Sequence, residues 1–209
     1  MGCGWTVKDT DFSRVQAIEA VNGGSLRLPR GAENVISGSP FWEARLNAGF
    51  HITAVGGSDS HDAGIDPATK TGIGYPTTVV HASELSQPAI LAALRAGHVF
   101  VDITGSCDQS LEVNATAAGR VAEMGDTLAA PAGTLVRVSI HVSHAAGASL
   151  SFVGDGLEPK LPDATLAEDE ETRSFEVSSN GQRHWLRVDV RGRDGKLRIL
   201  GNPIYLNAP

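Results

Sequence analysis

Asp59 and His61 are the pair whose residue types and spacing point most directly to chemistry: a carboxylate and an imidazole two positions apart, closing the run His51-Ile-Thr-Ala-Val-Gly-Gly-Ser-Asp-Ser-His61. On an extended segment, residues two apart face the same side, so both groups can reach one pocket and serve one metal ion or two neighbouring ions. Ile52, Ala54 and Val55 ahead of them read as a strand buried on both faces, as in parallel sheets. Gly56 and Gly57 let the backbone turn and approach closely. The spacing predicts that both side chains lie within about one residue of the strand's C-terminal end and share a pocket. The plainer reading of a bare Asp-x-His is a turn-capping aspartate beside a solvated histidine. Ser58 and Ser60 are candidates to support the pair through hydrogen bonds.

The elements that must position this pair follow from periodicity and punctuation. Val15 to Val21 alternates and ends at Asn22-Gly23-Gly24, which predicts a strand with Glu19 and Asn22 near its C-terminal end, as pocket or supporting groups. Gly24 to Gly38 reads as a long polar loop carrying Arg27 and Arg30. Ser39-Pro40 and Gly49 bracket a helix of about ten residues with Phe41, Trp42, Arg45 and Leu46 on its packed side. Ser86, Pro88 and Gly97 bracket a second, with Ile90, Leu91 and Leu94 as its stripe. Each helix leads into an extended segment, His51 to Val55 and His98 to Thr104.

Past about Ser106 the pattern changes to short alternating strands: Leu111 to Ala115, Thr134 to Val142, Ser149 to Val153, Arg173 to Val177, Trp185 to Val190, and a last one at Asn202 to Leu206. Gly154-Asp-Gly156, Asn180-Gly181 and Asp194-Gly195 mark turns between them. Arg187, Asp189 and Arg191 fall on one face, read as a solvated, charge-laced one. His141 and His144 fall on opposite faces and read as solvated.

These segments resemble a known family, the polymerase and histidinol phosphatase (PHP) family of metal-dependent phosphoesterases. The likeness runs from about Phe12 through Ala17 to Gly23, Phe41 to Gly49, Ala54 to His61 and Ile73 to Val79, to Ala89 to Val101, in the order of the second half of a PHP domain. The resemblance implies an α/β fold followed by an all-β part: a partial, distorted (β/α) barrel over residues 1–105 and a small C-terminal antiparallel β-sandwich over 106–209. It implies hydrolysis of a phosphorylated small molecule, with Asp59 and His61 among the ligands of a cluster of Zn, Mn or Fe ions. A complete family member opens with a His-x-His pair and adds further ligands, whereas this chain has no His-x-His. The expectation is therefore a C-terminal piece or a relic, with low metal occupancy, weak or no activity as it stands, and association with itself or with the missing N-terminal half. The competing expectation is a non-catalytic binding or structural module built on the sandwich.

Composition narrows the field. With 209 residues, 41% of them hydrophobic, the chain can build one or two cores, while a full barrel alone takes about 250 residues. A net charge of −7 argues against a nucleic-acid surface spread over the molecule. No run approaches the roughly 18 apolar residues of a membrane span, and Lys8, Asp9 and Asp11 interrupt any signal-peptide core, so a cytoplasmic location is the default expectation. Cys3 and Cys107 have no metal-binding spacing.

Overall fold

Period-two alternation in one strand sets the layering. Over His184–Arg191, Leu186, Val188 and Val190 point one way and Trp185, Arg187 and Asp189 the other, and all six are buried. A strand covered on both faces belongs to a middle layer. The computed structural model describes residues 5–34, 36–61, 64, 72–157, 159 and 164–208. Its elements are β1 (Ala17–Asn22), α1 (Gly23–Leu26), α2 (Ser39–Asn47), β2 (Thr53–Gly57), β3 (Thr77–Val80), α3 (Gln87–Ala96), β4 (Val99–Asp102), β5 (Ser110–Ala117), β6 (Arg120–Glu123), β7 (Thr127–Leu128), β8 (Leu135–Ser143), β9 (Ser149–Gly154), β10 (Glu170–Ser178), β11 (His184–Arg191), β12 (Leu197–Gly201) and β13 (Ile204–Leu206).

The strands form three open sheets among the described residues: β1-β2, β10-β8-β5-β6, and β3-β4-β12-β11-β13-β7 with β9 on the second edge of β11. The last of these is the middle layer. One of its faces packs on the four-stranded sheet through Leu111, Val138, Ile140, Val188 and Ile199. The opposite face packs on α2 and the β1-β2 pair through Trp42, Leu46, Ala54, Val101, Leu200 and Tyr205.

This corrects the expected fold class. Among the described residues the sheets are open and form no barrel, and strand content dominates helix. Among the described residues two strand pairs are parallel, β1 with β2 and the short β13 with β7, and of these only the first has helix between its strands, as a β/α repeat requires. After α3 the chain returns antiparallel to β3, and the other edge of β4 is taken by β12 (Ile199↔Asp102, Leu200↔Val101). Strands from both sides of residue 106 thus share one sheet. The cap residues act locally as predicted in α3, where Ser86 Oγ accepts the Ala89 N–H at 3.3 Å and Gly97 ends the helix at φ +83°. In α2, Ser39 is inside the helix, not its cap, and its hydroxyl donates to Ala20 O at 3.0 Å.

Two side chains hold β2 against the middle sheet where no ladder joins them. The buried Asn202 accepts from Ala54 N–H at 2.7 Å and donates to Ala54 O at 3.1 Å and Val99 O at 2.8 Å, so one amide stands in for strand pairing between β2 and β4. The Thr78 hydroxyl accepts from Gly56 N–H at 2.9 Å and donates to Gly56 O at 2.8 Å.

The charged face predicted for solvent is inside. Arg187 and Asp189 are 4% and 1% exposed; Nε of Arg187 donates to Asp189 Oδ1 at 3.0 Å, and an Nη donates to Glu43 Oε1 of α2 at 2.7 Å. The guanidinium also lies 5.1 Å and 5.8 Å from the Trp42 and Trp185 ring centroids. Arg187 and Asp189 do share one face of the strand, but α2 covers it. Arg191 pairs instead with Glu33 at 2.7 Å.

His51, just ahead of β2, stacks on Tyr205 with centroids 3.7 Å apart. Burial, with a smaller contribution from Arg183, holds its pKa below the usual 6.5, while burial raises that of the Tyr205 phenol. A depressed histidine favours the neutral folded state: its contribution is complete above the unfolded pKa and is lost as pH falls through the folded one. Urea midpoints are therefore expected to fall between about pH 7 and pH 5, and less steeply in His51→Phe, which keeps the stack without the titration. Equal slopes in the two proteins would contradict this.

Candidate functional site

Parallel pairing brings the C-terminal ends of β1 and β2 together, with Asn22 opposite Gly57. The register shifts between Glu19 and Val21, so Ala20 is passed over in the ladder. Its carbonyl turns outward and accepts from the Ser37 and Ser39 hydroxyls, both at 3.0 Å. This stretch 37–39 covers the outer edge of β1.

Such a bulge re-aims side chains. Glu19 and Asn22, three apart, come to the same side, and Asn22 Nδ2 donates to Glu19 Oε2 at 3.3 Å. The Glu19 carboxylate lies over Gly57, where a Cβ would fall 2.4 Å from Oε1 and push that side chain aside. The Asn22 side chain also accepts from Gly24 N–H at 2.7 Å, which fixes its orientation.

Asp59 lies two residues beyond β2 and His61 four, further out than the predicted one. Asp59 is not extended but left-handed, at φ +50°. The pair meets nonetheless, His61 Nε2 standing 2.9 Å from Asp59 Oδ1. The turn, not strand alternation, brings them together. Asp59 is half exposed and His61 is 87% exposed, so the imidazole faces solvent rather than a closed pocket.

The His61 hydrogen bond, then one from Asn22, then the attraction of His61 and Arg27 hold the Asp59 carboxyl below its usual pKa. Asn22 therefore links Glu19 to Asp59. Ser58 offers its carbonyl, which sits where a Cβ on Gly23 would be, at 2.3 Å; Ser60 stands between the pair in the chain. Among the described residues, no third His, Cys, Asp or Glu completes a metal group with Asp59 and His61.

His141 and His144 bind Thr172 Oγ1 at 3.1 Å and Asp169 Oδ2 at 3.0 Å, apart from each other and from the site. Cys107 is an exposed free thiol, and Cys3 lies outside the described residues. The residues that sequence reasoning missed are His81, His98, Glu123 and Asp126, which gather on the far side of β4. Only the pairing of β3 with β4 could have flagged the two histidines, because nothing in their spacing along the chain does.

No family model and no curated protein matches this chain. Among the described residues, no helix is long and apolar enough to cross a membrane.

Proposed function

We propose that Asp59 and His61 are two donors of a divalent-metal centre that hydrolyses the phosphate ester of a small molecule, its other donors coming from outside the described residues. The observation that carries this is the carboxylate-imidazole pair, 2.9 Å apart and open to solvent, at the ends of two parallel strands. Ligand sites gather at such strand ends, and one oxygen with one nitrogen donor suits Zn²⁺, Mn²⁺ or Fe²⁺ better than Ca²⁺. Such ions supply Lewis acidity to a phosphoryl group and to water.

The chain's own residues do the rest. Asn22 orients Asp59, whose lowered pKa keeps it ionised and ready as a donor at neutral pH. Glu19, held over Gly57, adds negative charge that favours a cation. Arg27, on α1's C-terminal side and close enough to act on Asp59, places a cation where a substrate phosphate would arrive.

The test combines hydrolysis of an aryl phosphate with NMR. Added Mn²⁺ is expected to broaden the amide signals of Gly57 and Ser60 and to support slow turnover. Asp59→Ala and His61→Ala should each raise the Mn²⁺ needed by at least about tenfold, since losing even an outer partner of a ligand costs ~10–100-fold in affinity. Broadening and turnover unchanged in both variants would remove the pair from any mechanism.

A further inference from the structure

We infer that His98, Glu123 and Asp126, with His81 at the rim, form a second divalent-cation site, of zinc type, on the opposite side of β4 from Asp59 and His61. β3 and β4 pair antiparallel with Val80 opposite Val99, so the next pair is His81 opposite His98, and His81 N–H donates to His98 O at 2.9 Å. Directly opposed residues project to the same face with Cβ atoms about 4.5–5.5 Å apart. Two imidazoles from distant parts of the chain therefore stand side by side.

Glu123, at the end of β6, reaches across them, with Oε2 at 2.9 Å from His81 Nδ1 and Oε1 at 3.4 Å from His98 Nδ1. Asp126 is pinned in the following turn: its Oδ2 accepts Glu123 N–H at 3.1 Å and its own N–H donates to Glu123 O at 3.0 Å. That leaves Oδ1 free to meet His98 Nε2 at 3.1 Å. One donor atom each from His98, Glu123 and Asp126 lies within 4.8 Å of the others.

Two glycines make the approach possible. A Cβ on Gly97 would fall 2.8 Å from Gly125 Cα, and one on Gly125 would fall 1.9 Å from Ala96 O. The β6-β7 turn is thereby pressed against the end of α3, which brings Asp126 to His98.

The arrangement asks for a cation. A neutral imidazole carries one N–H, yet His98 has a carboxylate oxygen at each ring nitrogen. One of these contacts then sets lone pair against lone pair, a repulsion that a metal ion between them removes. Two carboxylates facing two neutral imidazoles also leave a charge that one divalent ion cancels. The mixture of imidazole and carboxylate favours zinc or cobalt over calcium or magnesium. His98 is 22% exposed and Glu123 34%, and the cluster opens onto a groove lined by His81, Ser83, Ala93 and His98, so three protein ligands leave a position for water or a small anion.

The test is done in an Asp59→Asn/His61→Gln background, so that its outcome is independent of the phosphoesterase proposal. Calorimetric titration with Zn²⁺ is expected to show one saturable equivalent, and Co²⁺ to give visible absorption bands from nitrogen and oxygen ligands. Asp126→Asn, which keeps an acceptor for the turn, and Glu123→Gln should each weaken Zn²⁺ by at least about tenfold, with unchanged far-ultraviolet circular dichroism confirming the fold. If either variant unfolds, the other decides. No saturable Zn²⁺ binding in the background protein, or undiminished binding in the folded variants, overturns the site; an imidazolium bridging the carboxylates would then be the group that relieves the repulsion.

Discussion

Asp189→Ala is expected to lower the stability of the fold by about 3–5 kcal/mol, the cost of leaving one partner of a buried ion pair uncompensated. Arg187 is 4% exposed and has Asp189 and Glu43 as its charged partners, while one of its terminal nitrogens has no hydrogen-bond partner. Burial, the largest influence, works against its charge, and the two carboxylates outweigh it, so its pKa is raised and it stays ionised. Without Asp189, Gly201 N–H also loses an acceptor at 3.2 Å, which loosens the join between β11 and β12. Replacing both charges, as Arg187→Met/Asp189→Leu, should recover most of the loss, because apolar residues of similar volume often match a buried pair. Urea melts measure both. A loss below ~1 kcal/mol in the single variant, the level of a surface pair, would show that α2 does not seal this face.

Asp102→Ala is expected to cost about 2–4 kcal/mol, from buried donors at ~1–3 kcal/mol each, partly offset by rehydration at the loop's outer end. The carboxylate is fully buried. It accepts from the N–H groups of Thr104, Gly105, Ser106 and Cys107 and from the Thr104 and Ser106 hydroxyls, over 2.7 to 3.3 Å. These donors hold the loop that leaves β4 and packs Gly105 against Gly74 O, ahead of β3. Asp102→Asn keeps one acceptor oxygen and should lose roughly half as much. Hydrogen exchange offers a second readout: the Thr104 and Gly105 amides should lose protection first. Identical stability for Asn and Ala at this position would refute the account.

Local signals in the sequence were legible where the physics is local. Ser86, Pro88 and Gly97 mark α3 because capping needs only neighbouring residues. Alternation located β5, β8, β9, β10, β11 and β13 to within a few residues. Short β6 and β7, and β12 with its Arg198, carry too few alternations to register against turn-rich flanks. The helix stripe was less faithful: Leu91 remains 39% exposed while Ala93 is buried, because the groove beside α3 leaves one flank uncovered.

The candidate site divides in the same way. The presence of an Asp-x-His after an apolar strand, with Glu19 and Asn22 near the end of another, was determined by the sequence alone. Their linkage was not, since it needs the bulge at Ala20 and the left-handed Asp59, which arise from pairing and close packing. Which faces are dry was also decided only in three dimensions: a charged strand face is solvated or buried according to what lies on it, and α2 lies on Arg187 and Asp189. Strand partnership is the last case. β4 follows a helix and reads as the next unit of a β/α repeat, but hydrogen-bonding edges are generic, and the edge of β12, nearly 100 residues away in the chain and matched to it through Asp102, Val101 and Phe100, takes that place.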